Sequence, residues 1–203
     1  MFPLGSTVFP QQVVPLHVFE ERYRTMLEDV TSDEQAPEFG IVLIDRGHEV
    51  GGGDHRVSVG TRVQILEAQR FEDGRWAVVT AGAERLNVVE WLPDDPYPRA
   101  VVEPREVIDN GGSDLAQLQS AVVETLGLMA EASGAAIPDE YEFADDVRVR
   151  LDQLCAVSPL TEFDRQSVLE AATTSDQMNR LSEALETKRM LLRAQLGHGD
   201  ELG

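Results

Sequence analysis

Residue types that carry out enzymatic chemistry are sparse in this chain. Its only lysine is Lys188, which follows Glu186-Thr187 in a segment with helical periodicity. A phosphate-binding loop of the Gly-x-x-x-x-Gly-Lys-Ser/Thr type needs a lysine that reaches the β- and γ-phosphates, and no such loop surrounds Lys188. Ser182 lies six residues earlier, so a helix at about 100° per residue turns it away from Lys188. The sequence therefore predicts neither a P-loop ATPase nor a Ser–Lys protease.

Metal chemistry has one candidate, formed by His48 and His55 on either side of the glycines 51–53. Zinc sites usually show tighter ligand spacing on a rigid frame, so a turn between two strands is the favoured interpretation. The single cysteine, Cys155, excludes an internal disulfide, and its place on the apolar side of a helical pattern predicts a core residue. We expect no metal, no cofactor and no catalytic site.

The charge balance argues against two classes of partner. Asp and Glu number 37 against 17 Lys and Arg, which gives a formal net charge of -20. Nucleic acids and anionic membranes repel such a surface, because binding them depends on neutralising phosphates with Lys and Arg. The opening Met1-Phe2-Pro3-Leu4 lacks the basic residue of a secretory signal, and no run approaches the roughly 20 apolar residues of a membrane helix. We expect a soluble, cytoplasmic protein that binds neither nucleic acid nor membrane.

One apolar set near the N-terminus is a candidate peptide-binding site. Its members are Phe9, Pro10, Pro15, Leu16, Phe19 and Tyr23, accompanied by Arg22 and Arg24. The apolar members would form a groove for an apolar segment of a partner, and the arginines would favour acidic or carboxylate-bearing ligands. The alternative is that these residues build the core, since large apolar side chains are usually inside. A structure with all six apolar members buried would exclude the groove.

The elements that position this set are predicted to be β-rich over residues 1–110, with one inserted helix. Strands are predicted over residues 39–44, 57–71, 75–80, 85–91 and 99–102, from apolar runs and alternation. Asp73-Gly74 marks a hairpin turn. Apolar residues at helical spacing predict the helix over 17–30, with Pro15 just before it. Consecutive strands joined by short turns predict an antiparallel sheet that curls into a barrel-like shape.

Residues 111–203 are predicted to be helical, after a flexible boundary at Asn110-Gly111-Gly112-Ser113. Asp114 is a predicted cap for the first of four helical patterns, and Thr161 with Asp164 forms a capping-box signature for the third. Short amphipathic helices are stable only when their apolar faces are buried together, so we expect a small bundle. The predicted fold class is α+β, with a β-rich domain over 1–110 and a helical bundle over 111–203.

Several segments of the chain carry a family resemblance. Residues 2–10 read Phe-Pro-Leu-Gly-Ser-Thr-Val-Phe-Pro, and residues 15–24 read Pro-Leu-His-Val-Phe-Glu-Glu-Arg-Tyr-Arg. The run 39–44, Gly60-Thr61-Arg62 and Tyr97-Pro98-Arg99-Ala100 follow in the expected order. This order resembles the N-terminal substrate-binding domain of Lon proteases, in the form of a stand-alone protein. The resemblance implies a PUA-like pseudo-barrel joined to a helical bundle, without the ATPase and protease domains of the family.

The resemblance also implies a function, namely a non-catalytic module that recognises unfolded or tagged polypeptides. The alternative is an adaptor or regulatory subunit that docks on a separate protease or chaperone through its acidic helical part. A hydrolase with an unrecognised site, and nucleic-acid binding by analogy with other PUA-like folds, are the remaining hypotheses. The identity of the ligand and the oligomeric state stay open.

Overall fold

The computed structural model describes residues 1–32, 37–46, 55–111, 114–135 and 141–199. The chain divides into two compact units, Met1–Glu106 and Val107–Gly203. In the described residues the first unit holds six strands and one helix, and the second unit holds four helices. The division into two independent domains, 1–110 and 111–203, stays a prediction.

The first unit is built on a mixed sheet. Its strands are β1 (Phe2–Leu4), β2 (Val13–Val18), β3 (Glu38–Arg46), β4 (His55–Arg70), β5 (Trp76–Leu92) and β6 (Arg99–Pro104). They are ordered β1-β3-β4-β5-β2, and β6 also pairs with β5. The β1–β3 pair is parallel and the other pairs are antiparallel. In this order β1 and β2 are the two end strands, and closure into a PUA-like pseudo-barrel stays a prediction.

Residues 13–18 form a strand, so the predicted helix over 17–30 was wrong at its start. Every second side chain of this segment is turned inward, and the segment pairs antiparallel with β5. The helix, α1 (Glu21–Ser32), begins only after the strand has ended. Pro15 therefore belongs to β2, where the end of a sheet tolerates a residue that lacks an N–H donor.

The two strands predicted over 75–80 and 85–91 are one continuous strand, β5. Gly82 lies in the middle of this strand, where a Cβ atom would come 2.1 Å from the carbonyl oxygen of Phe9. The backbone N–H of Gly82 donates to Gln12 O at 2.8 Å, and Gln11 N donates to Gly82 O at 2.9 Å. The glycine thus permits a close approach of the chain that leads into β2, and it does not break the strand.

The core of the first unit lies between α1 and the sheet. Tyr23, Met26 and Leu27 are the buried residues of α1. The Phe2 ring of β1 lies with its centroid 4.4 Å from that of Tyr23 and 5.9 Å from that of Phe39. Burial of each such large side chain stabilises the fold by about 1.5–3 kcal/mol. This packing fixes the start of α1 next to β1.

The second unit contains α2 (Leu115–Ser133), α3 (Val147–Val157), α4 (Glu162–Leu169) and α5 (Thr174–Gly199). Both predicted caps are confirmed. The carboxylate of Asp114 accepts hydrogen bonds from the backbone N–H groups of Ala116 and Gln117. Thr161 Oγ1 accepts one from the backbone N–H of Asp164 at 3.2 Å. Cys155 is fully buried, as its sequence position predicted. The arrangement of these helices as a bundle stays a prediction.

The chain around the predicted flexible boundary is held against the start of α5. The hydroxyl of Thr174 has alternative acceptors for its hydrogen bond. Its Oγ1 lies 3.1 Å from Asp109 Oδ1 and 3.0 Å from the carbonyl oxygen of Gly111. Asn110 Nδ2 donates to Ser175 Oγ at 2.8 Å. Residues 109–111 are therefore anchored in the second unit, while Gly112 and Ser113 lie outside the described residues.

Candidate functional site

An apolar pocket of about 210 Å³, here named the edge pocket, lies where β1, β2 and the start of α1 meet. Its lining residues are Phe2, Pro3, Leu4, Pro15, Leu16, His17, Val18, Phe19, Glu20 and Tyr23. Because β1 and β2 are the two ends of the sheet order, the pocket is formed by strand edges that the described strands leave unpaired. Its position follows from the sheet topology, which no single segment of sequence determines.

A second pocket of about 330 Å³, here named the hairpin pocket, lies beside the turn between β4 and β5. Its lining residues are His17, Val18, Phe19, Phe71, Arg75 and Trp76. Val18 of β2 is paired with Trp76 of β5, and this register brings the end of β2 to the hairpin. The two pockets therefore share one wall, made of residues 17–19.

Phe19 is the large apolar residue of this shared wall that is exposed. It lies between the end of β2 and the start of α1, and 56% of its surface is exposed. Phe71 of the hairpin pocket is 41% exposed. A phenylalanine side chain that is exposed to water does not gain the free energy of burial. Contact with an apolar group of a ligand would therefore be favourable at Phe19 and Phe71.

The six apolar residues predicted for peptide binding do not lie together. Phe9 and Pro10 are buried and line neither pocket. Leu16 and Tyr23 are buried in the wall of the edge pocket, while Pro15 and Phe19 are exposed there. The set is thus divided between core and surface, and the arrangement that would have excluded a groove is not found. Peptide binding by these residues stays a prediction.

The two predicted arginines make contacts within the chain. Arg22 Nη2 lies 3.2 Å from Glu20 Oε2, and its guanidinium carbon lies 4.4 Å from the centroid of the Tyr23 ring. The guanidinium of Arg24 lies against the hairpin turn, where a Cβ atom on Gly74 would come 2.0 Å from its Nη2. Gly74 has a φ of +82°, which completes the predicted Asp-Gly turn. Neither arginine lines the edge pocket or the hairpin pocket.

The charged groups at the hairpin pocket are also paired. Arg75 donates to Asp73 through its side chain at 2.7 Å and through its backbone N–H at 3.1 Å. These hydrogen bonds, with the backbone contact the larger effect, hold the pKa of the Asp73 carboxyl below its usual range. The turn therefore keeps an ion pair at neutral pH, and Arg75 stays at the rim of the pocket.

The lining of the two pockets is mainly apolar and lacks the hydroxyl, thiol and amine side chains that most often serve as nucleophiles in peptidases. No serine, threonine, cysteine or lysine side chain is among the described residues that line them. The polar groups of the edge pocket are His17, Glu20 and the Tyr23 hydroxyl. Across the part of the chain that the structure describes, no cluster of three or more His, Cys, Asp and Glu is placed to hold a metal ion. His48 and the glycines 51–53 of the metal hypothesis lie outside that part.

A family model supplies the comparison that decides the family. The model of the substrate-binding domain of ATP-dependent protease La (LON) matches residues 1–187. The chain belongs to this family. Among its relatives are a Lon protease of Anaeromyxobacter dehalogenans, 28% identical over 95% of this chain, and Lon protease 2 of Herpetosiphon aurantiacus, 26% identical over 91%. The chain spans 23% of the length of each of these relatives.

Solved structures of Lon N-terminal domains share the fold. The Lon N-terminal domain protein from Xanthomonas campestris matches 90% of this chain and 95% of its own, with a TM-score of 0.60 and 23% identity. The N-terminal domain of Mycobacterium avium complex Lon protease matches 92% and 96%, with a TM-score of 0.58 and 22% identity. The mixed sheet with its helices is therefore the Lon N-terminal domain fold. None of the described helices is long and apolar enough to cross a membrane.

Sequence reasoning missed the residues that complete the two pockets. Phe71 and Trp76 come together because the Asp-Gly turn folds β4 back along β5, and Phe2 with Leu4 reaches the site only through the β1–β3 pairing. Aromatic residues on both sides of a predicted hairpin turn were the available signal for the hairpin pocket. The edge pocket had no such local signal.

Proposed function

We propose that this chain is a non-catalytic polypeptide-recognition module, which binds apolar segments of unfolded or tagged proteins at the edge and hairpin pockets. The observation that carries the proposal is Phe19, more than half exposed between two apolar pockets. Membership of a family described as substrate-binding supports the same function. The relatives bear the name of proteases, and the part of them that this chain spans is the part named for substrate binding.

Absence of catalysis is part of the proposal. The pockets are lined mainly by apolar side chains, and of their charged groups Glu20 is paired with Arg22 and Arg75 with Asp73. Covalent hydrolysis of a peptide bond commonly uses a serine, threonine or cysteine activated by a base, and neither pocket is lined by one. We propose that the chain acts by holding its ligand, in the cytoplasm, without cofactor or metal.

The energetics favour reversible capture. Covering one large apolar side chain contributes about 1.5–3 kcal/mol, and association itself costs several kcal/mol of translational and rotational freedom. A single apolar contact therefore gives weak binding, and a ligand that fills both pockets gives moderate affinity. Such affinity suits a module that samples many unfolded chains and releases them.

Binding of an unfolded model protein tests the proposal. A reduced and carbamidomethylated protein that cannot refold is labelled, and its affinity for the chain is measured by fluorescence anisotropy. We expect Phe19→Ala to weaken binding by about 10-fold, because one large apolar contact is lost. Phe163→Ala is the matched control, since Phe163 is a phenylalanine at the start of α4 that is 83% exposed and lines neither pocket.

The control separates a specific site from general stickiness. Equal affinity of Phe19→Ala and Phe163→Ala for the unfolded protein would contradict the proposal. The adaptor alternative predicts a different result, in which the chain ignores unfolded proteins and binds one folded protease or chaperone in a fixed ratio.

A further inference from the structure

We propose that the ligand of this site is one extended segment that crosses Phe19 and inserts a bulky apolar side chain into each pocket, with basic residues on either side of the apolar pair. The inference rests on the proposed function and deepens it, because it defines the spacing and charge that the ligand needs. It follows from four features of the first unit: the shared wall, the pocket sizes, the proline-bearing edges and the charges around them.

The shared wall makes the two pockets neighbours. His17, Val18 and Phe19 line both of them, so a ligand leaving one pocket over Phe19 enters the other. An extended chain rises about 3.2–3.4 Å per residue and points alternate side chains to the same face. Two side chains of one extended segment can therefore enter both pockets only when they are separated by an even number of positions, i and i+2 or i and i+4.

The size of each pocket suits one side chain. An apolar cavity of about 150 Å³ is known to accommodate a benzene molecule. The edge pocket, at about 210 Å³, has room for one aromatic ring, and the hairpin pocket, at about 330 Å³, has room for a larger one. By the same measure the edge pocket is too small for two bulky side chains, so the second apolar residue of a ligand that fills it gains affinity in the hairpin pocket.

The strand edges beside the edge pocket disfavour addition of a ligand strand. β1 carries Pro3 and β2 carries Pro15, and both prolines line the pocket. A proline removes a backbone donor from an edge, and this is one of the ways in which proteins prevent pairing with other strands. Main-chain pairing therefore contributes little here, and the inserted side chains supply the affinity.

Charge selects the flanks of the segment. Arg22 is paired with Glu20 and Arg75 with Asp73, so these positive charges are compensated within the chain. Glu21 and Glu72 directly follow the lining residues Glu20 and Phe71 in the chain and are exposed, and the chain as a whole has a net charge of -20. Lys and Arg flanks are attracted to this surface and acidic flanks are repelled, in contrast to the acidic ligands expected from Arg22 and Arg24 in the sequence.

A panel of synthetic peptides tests the spacing. Each peptide carries two phenylalanines at i and i+2, i+3, i+4 or i+5 in a Gly/Ser background with lysine flanks, and a peptide with one phenylalanine is the reference. We expect the i+2 or the i+4 peptide, or both, to bind about 10-fold tighter than the reference, and the odd spacings to bind like the reference. Affinity that is independent of spacing would overturn the inference.

Two further comparisons sharpen the result. Phe71→Ala removes part of the wall of the hairpin pocket, so we expect the gain in affinity from the second phenylalanine of the peptide to be lost. Leu66→Ala is the control, since Leu66 is 56% exposed and lines neither pocket. We expect this variant to keep the gain in affinity. Replacing lysine flanks by glutamate is expected to weaken binding at about 50 mM salt and to matter less at about 500 mM. Equal binding of both flank types at low salt would contradict the charge requirement.

The outcomes for this inference and for the proposed function are distinguishable. If the peptides bind without a spacing preference and Phe19→Ala still lowers their affinity, polypeptide recognition stands. The proposal that one segment fills both pockets is then overturned. If Phe19→Ala leaves the affinity for every peptide unchanged, both are overturned.

Discussion

The two units each contain a cleft, and the clefts differ in chemistry more than in size. The edge and hairpin pockets of the first unit are lined mainly by aromatic and aliphatic side chains. The cleft between α2 and α5 of the second unit is larger, about 380 Å³, but most of its lining is polar or charged. Glu124 of α2 forms ion pairs across it with Arg189 and Arg193 of α5.

The exposed phenylalanines of the two units differ in the same way. In the first unit Phe19 and Phe71 both line a pocket, while exposed aliphatic residues such as Leu66 and Val89 line neither the edge nor the hairpin pocket. In the second unit Val147, Phe163 and Leu191 are strongly exposed, but they lie on three different helices and none of them lines the α2–α5 cleft. Scattered apolar residues are normal on protein surfaces, whereas apolar residues gathered around a pocket mark a binding site. The proposed recognition of apolar segments is therefore assigned to the first unit.

The largest expected effect comes from breaking the core of the second unit. Leu181→Ala removes a fully buried side chain of α5 and is expected to lower the free energy of unfolding of this unit by about 2–5 kcal/mol. Hydrogen exchange read by mass spectrometry would show lost protection in α2 to α5. We expect the affinity for an unfolded protein to be retained at a temperature at which the variant stays folded. A loss of affinity as large as that of Phe19→Ala would place recognition in both units.

The second largest expected effect concerns the close contact between Gly82 of β5 and Phe9, which precedes β2. Gly82→Ala would place a Cβ 2.1 Å from the Phe9 carbonyl oxygen, and the backbone shift is expected to lower the stability of the first unit by about 1–3 kcal/mol. Gly127→Ala in α2 is the matched control, since a Cβ there meets nothing within 4 Å and a helix gains about 0.5–1 kcal/mol from the exchange. Thermal unfolding measures both. An unchanged stability for Gly82→Ala would contradict the packing described.

The smallest effect concerns the ion pairs of the α2–α5 cleft. Arg189 and Arg193 hold the pKa of the Glu124 carboxyl below its usual value of 4.5, with the hydrogen bond from Arg189 as the largest cause. A lowered folded-state pKa stabilises the fold above the unfolded-state pKa, and the contribution is lost as pH falls through the folded-state value. Because Glu124 is largely exposed, Glu124→Gln is expected to cost about 0.5 kcal/mol near neutral pH.

The pH dependence of that variant provides its control. The stability difference between Glu124→Gln and the parent chain should shrink as the pH falls through the lowered folded-state pKa of Glu124, where the parent carboxyl also becomes neutral. Denaturant unfolding at several pH values measures it. A difference that stays constant down to pH values at which the carboxyl is protonated would show that the ion pairs are not its source.

Local signals in the sequence were sufficient for much of the fold. The caps at Asp114 and Thr161 and the turn at Asp73-Gly74 are formed by side chains and backbone within a few residues of each other, and all three were predicted. β2 was missed because a six-residue strand with a proline is a weak local pattern next to a helix. The unbroken β5 was missed because Gly82 serves a distant partner, Phe9.

The candidate site shows the same limit. Phe19 was predicted from its type and its place beside other apolar residues, whereas Phe9 and Pro10 were included for the same reason and are buried. Phe71 and Trp76 reach the site through the register of β2, β4 and β5, which depends on pairing between residues far apart in the chain. Composition can identify exposed apolar candidates, but only the pairing of strands decides which of them share a pocket.

An NMR titration of the whole chain shows where a peptide binds, and the ligand is the tighter-binding of the i+2 and i+4 phenylalanine peptides. We expect the amide signals that shift to belong to residues 2–4, 15–23 and 71–76, around the edge and hairpin pockets. Signals of the residues that line the α2–α5 cleft should stay in place. Shifts concentrated in α2 and α5, with the signals around Phe19 unchanged, would show that the two pockets are not the binding site.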